Sequence, residues 1–225
     1  YEKTLLNLGA DVANPFDIYS KVEEYYEGII NKKKDEAQAK KKEIDAWRSE
    51  NVELSAKLDG FLEGKLPNLD FSSIEQKDGQ ATRAASSNVL AYLAQNVENM
   101  IVSSADLSNS DKTDGFLKKT HILKKGDFSG AFLQAGVAEL TMTAMANGIA
   151  LHGGVIPVVA TFFVFSDYMK PAIRLSCIQE LPVKFVWTHD AFRVGEDGPT
   201  HQPIEQEAQI RLLEKLKNHS HEQSF

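Results

Sequence analysis

The sequence predicts an α/β domain, a doubly wound and mainly parallel sheet flanked by helices, with a helical extension ahead of it. Three observations carry that expectation. After Ala81, short apolar runs alternate with segments of helical periodicity, the pattern of βαβ units. One run, Val155 to Thr161, is continuously apolar and rich in β-branched residues, which suits a strand covered on both faces. Before residue 80 the texture differs: the chain is polar and rich in Lys, Glu and Ala.

The elements follow in order. From Asp17 to Phe61, the residues Ile44, Trp47, Leu54, Leu58 and Phe61 recur at spacings of one helical face. Lys32-Lys33-Lys34 and Lys40-Lys41-Lys42 fall largely on the solvated side, and read as helix surface or, alternatively, as an anion patch. Pro67 and the stretch from Asp70 to Gly79 read as a linker. Residues 1–80 are thus expected to form an extension and residues 81–225 the α/β domain. Within the latter, helices are expected over Ala84 to Asn96, Glu139 to Leu151, Ser166 to Cys177 and Glu205 to Leu216. Strands are expected over Met100 to Ser103, Ala131 to Ala135, Val155 to Thr161 and Val183 to Thr188. Gly153-Gly154 makes a turn, the loop from Asp190 to Pro203 is rich in Gly and Pro, and Asn218 to Ser224 is a polar tail.

Composition narrows the function classes. The 225 residues are 42% hydrophobic and carry a formal net charge of -7, which disfavours non-specific nucleic-acid binding. The single cysteine, Cys177, permits no intrachain disulfide and suits a reducing, cytoplasmic setting. Val155 to Phe165 is too short to span a bilayer and contains Pro157, and no apolar h-region follows Tyr1-Glu2-Lys3. No nucleic-acid or membrane partner is expected.

In a doubly wound sheet, ligands bind beyond the carboxyl ends of the strands. Four clusters fall there. Glu139 follows a strand and opens an apolar helix; it either favours the helix dipole or is a buried acid able to hold or share a proton. Phe162, Phe165 and Tyr168 are spaced by three at a strand–helix junction, as core aromatics or as a platform for a flat heterocycle. The loop from Thr188 to Pro203 gathers His189, Asp190, Glu196, Asp197 and His201. A polar loop anchored on a buried strand suggests a site. Metal binding by His189 and His201 is a weaker reading, because the spacing is not a zinc pattern. Ser103-Ser104-Ala105-Asp106-Leu107 lies at another strand end, and Arg83 with Ser86, Ser87 and Asn88 opens a helix, as an anion site or as a capped helix start.

Taken together, Ser104-Ala105-Asp106-Leu107, Gly136-Val137-Ala138-Glu139, Leu151-His152-Gly153-Gly154, Thr161 to Tyr168 and Gly195 to Pro203 resemble the transketolase family in order and spacing. The run Asp197-Gly198-Pro199-Thr200-His201-Gln202-Pro203 is the most specific of these. The resemblance covers residues 81–217; residues 1–80 resemble more loosely the helical connection that precedes this domain. It implies a thiamine-diphosphate pyrimidine domain and transfer of a two-carbon ketol unit between sugar phosphates, such as xylulose 5-phosphate and ribose 5-phosphate. It implies that Glu139 contacts N1′ of the aminopyrimidine and helps ionise C2. Phe162, Phe165 and Tyr168 would line the ring pocket, with Asp106 near the cofactor. Arg83, Ser104 and His189 would bind substrate phosphate, Asp197 a substrate hydroxyl, and His201 the oxygens near the reacting carbon. Glu139 and His201 would be the catalytic pair.

The family also needs a diphosphate-binding domain whose Gly-Asp-Gly motif and Asn hold Mg²⁺ or Ca²⁺. No Gly-Asp-Gly occurs here, and Gly126-Asp127-Phe128 is not that motif. The expectation is therefore no metal ligands in this chain, and inactivity without a diphosphate-binding domain or subunit. An open sheet edge is expected to favour a homodimer or higher self-association. A non-catalytic assembly or regulatory module is the alternative. Among other thiamine-diphosphate enzymes, deoxyxylulose-phosphate synthases and keto-acid dehydrogenases fit the loop less well, while a dihydroxyacetone synthase is a close relative.

Overall fold

Four strands, β1 (Met100–Ser104), β2 (Phe132–Gln134), β3 (Ile156–Phe162) and β4 (Lys184–Thr188), form the sheet of the computed structural model, which describes residues 1–190, 194 and 197–213. Their order is β2-β1-β3-β4 and every pairing is parallel. The helices are α1 (Glu2–Asn7), α2 (Ser20–Glu50), α3 (Val52–Leu62), α4 (Thr82–Asn96), α5 (Asp114–Leu117), α6 (Glu139–His152), α7 (Ser166–Ile178) and α8 (Gln206–Leu213). The expected doubly wound parallel sheet is present. Each strand lies within a residue or two of its expected place. The end of the helix expected at 214–216, the polar tail from Asn218 to Ser224, and Gly195 and Glu196 of the loop motif lie outside the described residues.

The chain divides into two units, Tyr1–Ala56 and Lys57–Phe225. In the first, the long polar helix expected from Asp17 to Phe61 is interrupted. Asn51 leaves helical geometry (φ -127°, ψ 59°), and both its backbone N–H and its side-chain amide donate to the Trp47 carbonyl. Asparagine competes with the helix for its own carbonyls in this way, which is why the apolar spacing alone did not reveal a break. No residue of α1 or α2 is buried.

In the second unit the core has two layers, one on each face of the sheet. Val159 joins Ala105, Met142, Ala146, Met169, Ile173 and Cys177 on the face covered by α6 and α7. Its neighbour Val158 points the other way, to Leu90, Val97, Met100, Val102, Phe116 and Phe132 beneath α4 and α5. Successive strand side chains alternate in direction, so a strand covered on both faces must be apolar throughout. Two polar side chains inside this core pair with each other. Asn147 of α6 donates to the Ala172 carbonyl of α7 and accepts from Ser176 Oγ at 2.6 Å, fastening the two helices. The α4–α5 approach depends on Gly115, where a Cβ would collide with Ser87. The four-residue α5 and six-residue α1 are too short to show a period in the sequence.

Ile173 is fully buried. Ile173→Ala is expected to cost about 2–5 kcal/mol through lost burial and a residual cavity. Urea unfolding should show this as a lower midpoint at unchanged slope.

Candidate functional site

The strand order reverses between β1 and β3. From β1 the chain moves outward to β2, and from β3 it moves outward to β4 on the opposite side. The loops leaving the two central strands therefore part, and leave a crevice beyond Ser104 and Phe162. Two adjoining pockets occupy it, with Leu107 in the wall of both.

The smaller pocket, about 410 Å³, is lined by Ala105, Leu107, Val137, Glu139, Phe165 and Tyr168. A tight turn delivers Glu139: Gly136 adopts φ +69°, and the Ala138 N–H donates to the Gly136 carbonyl. That left-handed geometry favours glycine. Glu139 then begins α6 and is only 7% exposed. Among the described residues its carboxylate accepts one long hydrogen bond, from Thr161 Oγ1 at 3.5 Å. A buried carboxylate with so slight a partner keeps acceptor capacity for a ligand. The aromatic residues form a row beside it. The Phe162 and Phe165 rings stack at 5.8 Å and 11°, and those of Phe165 and Tyr168 at 6.0 Å and 26°. Tyr168 stays 61% exposed.

The larger cleft, about 1070 Å³, has Arg83, Ser86, Ser110, Phe162, Thr188, His189, Asp190 and Asp197 in its lining. His189 terminates β4 in a left-handed conformation, φ +55°. Such a backbone is uncommon for a residue with a side chain and clusters at functional sites. Three contacts hold its ring. Arg83 Nη1 lies 2.7 Å from Nε2, Thr188 Oγ1 lies 2.9 Å from Nδ1, and the Phe162 ring packs against it at 3.7 Å between centroids. A guanidinium only donates, so Nε2 must accept and the proton sits on Nδ1, directed at Thr188. Burial, and then the positive charge of Arg83, push the His189 pKa below its ordinary value; Asp197 and Asp111 oppose this. His201 leans on the same aromatic row, edge-on to Phe165 at 5.3 Å, with Thr200 Oγ1 2.8 Å from its Nδ1.

The fold thus gathers Glu139, Phe165 and Tyr168 in one pocket, and Arg83, His189 and Asp197 in the next. Phe162 stands in the cleft lining, between His189 and Phe165. Asp106 is exposed, with φ +64°. Ser104 turns inward: it is 2% exposed and donates to Asp111 Oδ2 at 2.6 Å. The start of α4 has Ala81 as its N-cap and no side-chain cap, so the capped-helix reading of this segment does not hold, and Arg83 reaches His189. Among the described residues, no three of His, Cys, Asp and Glu converge as metal ligands. Leu107 and Thr161 fall in segments the sequence singled out but were given no role, and Ser110 was not foreseen. Ser110 sits in a polar turn without periodicity, and only the folded loop brings it to the cleft.

Residues 78–220 match the transketolase pyrimidine-binding domain. The chain belongs to the transketolase family. Among its relatives, the transketolase of Halalkalibacterium halodurans is 38% identical over 206 residues, which are 90% of this chain and 31% of that protein. The transketolase of Bacillus subtilis is 40% identical over 200 residues, covering 86% of this chain and 30% of that protein. In structure, the transketolase of Leishmania mexicana superposes with a TM-score of 0.81 at 31% identity, over 92% of this chain and 31% of that one. A Pichia stipitis transketolase in complex with sedoheptulose 7-phosphate gives 0.78 at 33% identity, over 93% and 32%. The chain spans just under a third of the length of these transketolases.

The His189 geometry sets a pH dependence. A histidine whose pKa falls on folding contributes stability that is full above its unfolded value, about 6.5, and is lost as pH falls through the lower folded value. NMR titration of the ring should give a midpoint below about 6.5. His189→Gln should remove that part of the acid-side loss of stability seen in denaturant unfolding.

Proposed function

We propose that this chain supplies the pyrimidine and sugar side of a transketolase site, working in two-carbon ketol transfer between sugar phosphates. The observation that supports this best is the Glu139 carboxylate, buried beside a stacked aromatic row in an apolar pocket at the switch point of the sheet. Residues 1–80 would serve as the helical connection and residues 81–225 as the ring-binding domain.

The pocket fits an aminopyrimidine. Its walls are apolar, its rings offer a flat face, and its one acid is buried with acceptor capacity to spare. Thiamine diphosphate, when bound, supplies the nucleophilic carbon that accepts and passes on the two-carbon unit. In this reading Glu139 holds a proton at a ring nitrogen of the cofactor, and Thr161 orients the carboxylate. Phe165 and Tyr168 receive the ring, Phe162 supports Phe165 from the cleft side, and Asp106 would lie near the cofactor. Arg83 and His189, with Ser110 beside them, bind the substrate phosphate. Asp197 takes a substrate hydroxyl, and His201 hydrogen-bonds the oxygens near the reacting carbon. Ser104 contributes through Asp111 rather than by direct contact.

The residues that tether the diphosphate through Mg²⁺ or Ca²⁺ belong, in this reading, to a separate diphosphate-binding domain or subunit. A hard cation of this kind needs several oxygen ligands held together. In this reading a protein partner or a homodimer completes the site at the pocket rim. In this reading the chain works in the pentose phosphate pathway, in the cytoplasm.

Mixing the chain with a transketolase diphosphate-binding domain, thiamine diphosphate and Mg²⁺ should yield exchange between xylulose 5-phosphate and ribose 5-phosphate. Glu139→Gln should lower the rate by about 10²–10⁴-fold, the usual size of an acid–base contribution. A folded complex that shows no exchange would refute the proposal and favour a non-catalytic assembly role.

A further inference from the structure

The most deeply buried carboxylate in the described chain lines neither pocket. Asp111 is 1% exposed. Among the described residues it has no cation partner; it accepts three hydrogen bonds. Ser104 Oγ donates to Oδ2 at 2.6 Å, while the Thr113 N–H and Thr113 Oγ1 donate to Oδ1 at 2.9 and 2.8 Å. Ser104 Oγ in turn accepts from the Leu107 N–H at 3.2 Å. Burying a carboxylate is costly unless it is fully hydrogen-bonded, so a position serving packing alone is filled more cheaply by an apolar residue.

The network encloses one turn. The Ser110 and Asp111 N–H groups both donate to the Leu107 carbonyl at 2.8 Å. Two non-glycine residues in left-handed geometry bracket it, Asp106 at φ +64° and Lys112 at φ +69°. Such residues persist where their surroundings over-determine them. The enclosed turn carries Leu107, the wall common to both pockets, and Ser110, which faces Arg83 and His189 across the cleft.

We propose that Asp111 is a positioning residue for the cleft: its carboxylate, acting through Ser104 and Thr113, sets the Leu107–Ser110 turn and hence the Ser110 side of the anion site. The proposal rests on the reading of that cleft as a phosphate site. Asp111 does not touch the ligand. Ser104, at the end of β1, is the link that ties the turn to the sheet.

The test titrates the full chain with inorganic phosphate at constant ionic strength, following amide shifts by NMR. Asp111→Ala and Ser104→Ala should each weaken phosphate binding by about tenfold. Asp111→Asn should stay within about threefold, because the amide oxygen can accept from Thr113 while its NH₂ donates to Ser104 Oγ. Rescue by the isosteric variant, against loss by two different deletions, separates positioning from bulk stability. If Asp111→Ala fails to fold, Ser104→Ala carries the comparison, since it leaves Asp111 its two bonds from Thr113. Equal phosphate affinity in all variants overturns the proposal. If the wild-type chain takes up no phosphate, the reading of the cleft falls. Hydrogen exchange of the Leu107 amide then decides the clasp by itself: protection lost in Asp111→Ala and kept in Asp111→Asn supports it, and unchanged protection overturns it.

Discussion

The double burial of β3 is the constraint on which the rest of the second unit depends. A strand covered on both faces tolerates no polar side chain unless it is satisfied, and gains its stability from helices packed above and below. Val158 and Val159 meet two separate apolar layers, and those layers are what α4 and α5 on one side and α6 and α7 on the other are shaped to supply. Because the neighbouring connections leave β1 and β3 in opposite directions, the same arrangement opens the crevice at their carboxyl ends. The site is a by-product of the way the sheet is wound, furnished with side chains at four loop starts.

The chemistry of the crevice rests on a contrast between its halves. In the smaller pocket a buried acid faces hydrocarbon and rings. In the cleft a guanidinium, an imidazole, hydroxyls and carboxylates crowd around open space. Phe162 joins the two, since it stacks on Phe165 and packs against His189. A change in the smaller pocket therefore has a mechanical route to His189 that passes through one aromatic side chain.

Much of this was legible in the sequence where a short-range pattern carried it. The strand 156–162 announced itself by composition, and Glu139 by its place between a glycine turn and an apolar helix. The run from Asp197 to Pro203 identified the family through residue identity, which no periodicity would have done. What was not legible depended on side-chain direction. Ser104 and Ser110 are six apart in a polar stretch, and which of the two faces the cleft is decided by the Asp111 clasp. Arg83 and His189 are 106 apart in the chain, and their hydrogen bond is a product of parallel packing. The break at Asn51 was hidden because the apolar spacing runs on across it and its helical bond to Trp47 is kept.

The helix Ser20–Glu50 has 31 residues and none of them buried. At 1.5 Å per residue it is about 46 Å long. With none of its residues buried, its order draws chiefly on local helix propensity. Propensity-driven helices melt gradually from their ends, whereas a two-layer α/β core unfolds in one concerted step. Ellipticity would then report two processes at once, a slope from the helix and a sigmoid from the sheet. A single melting temperature would describe only the second.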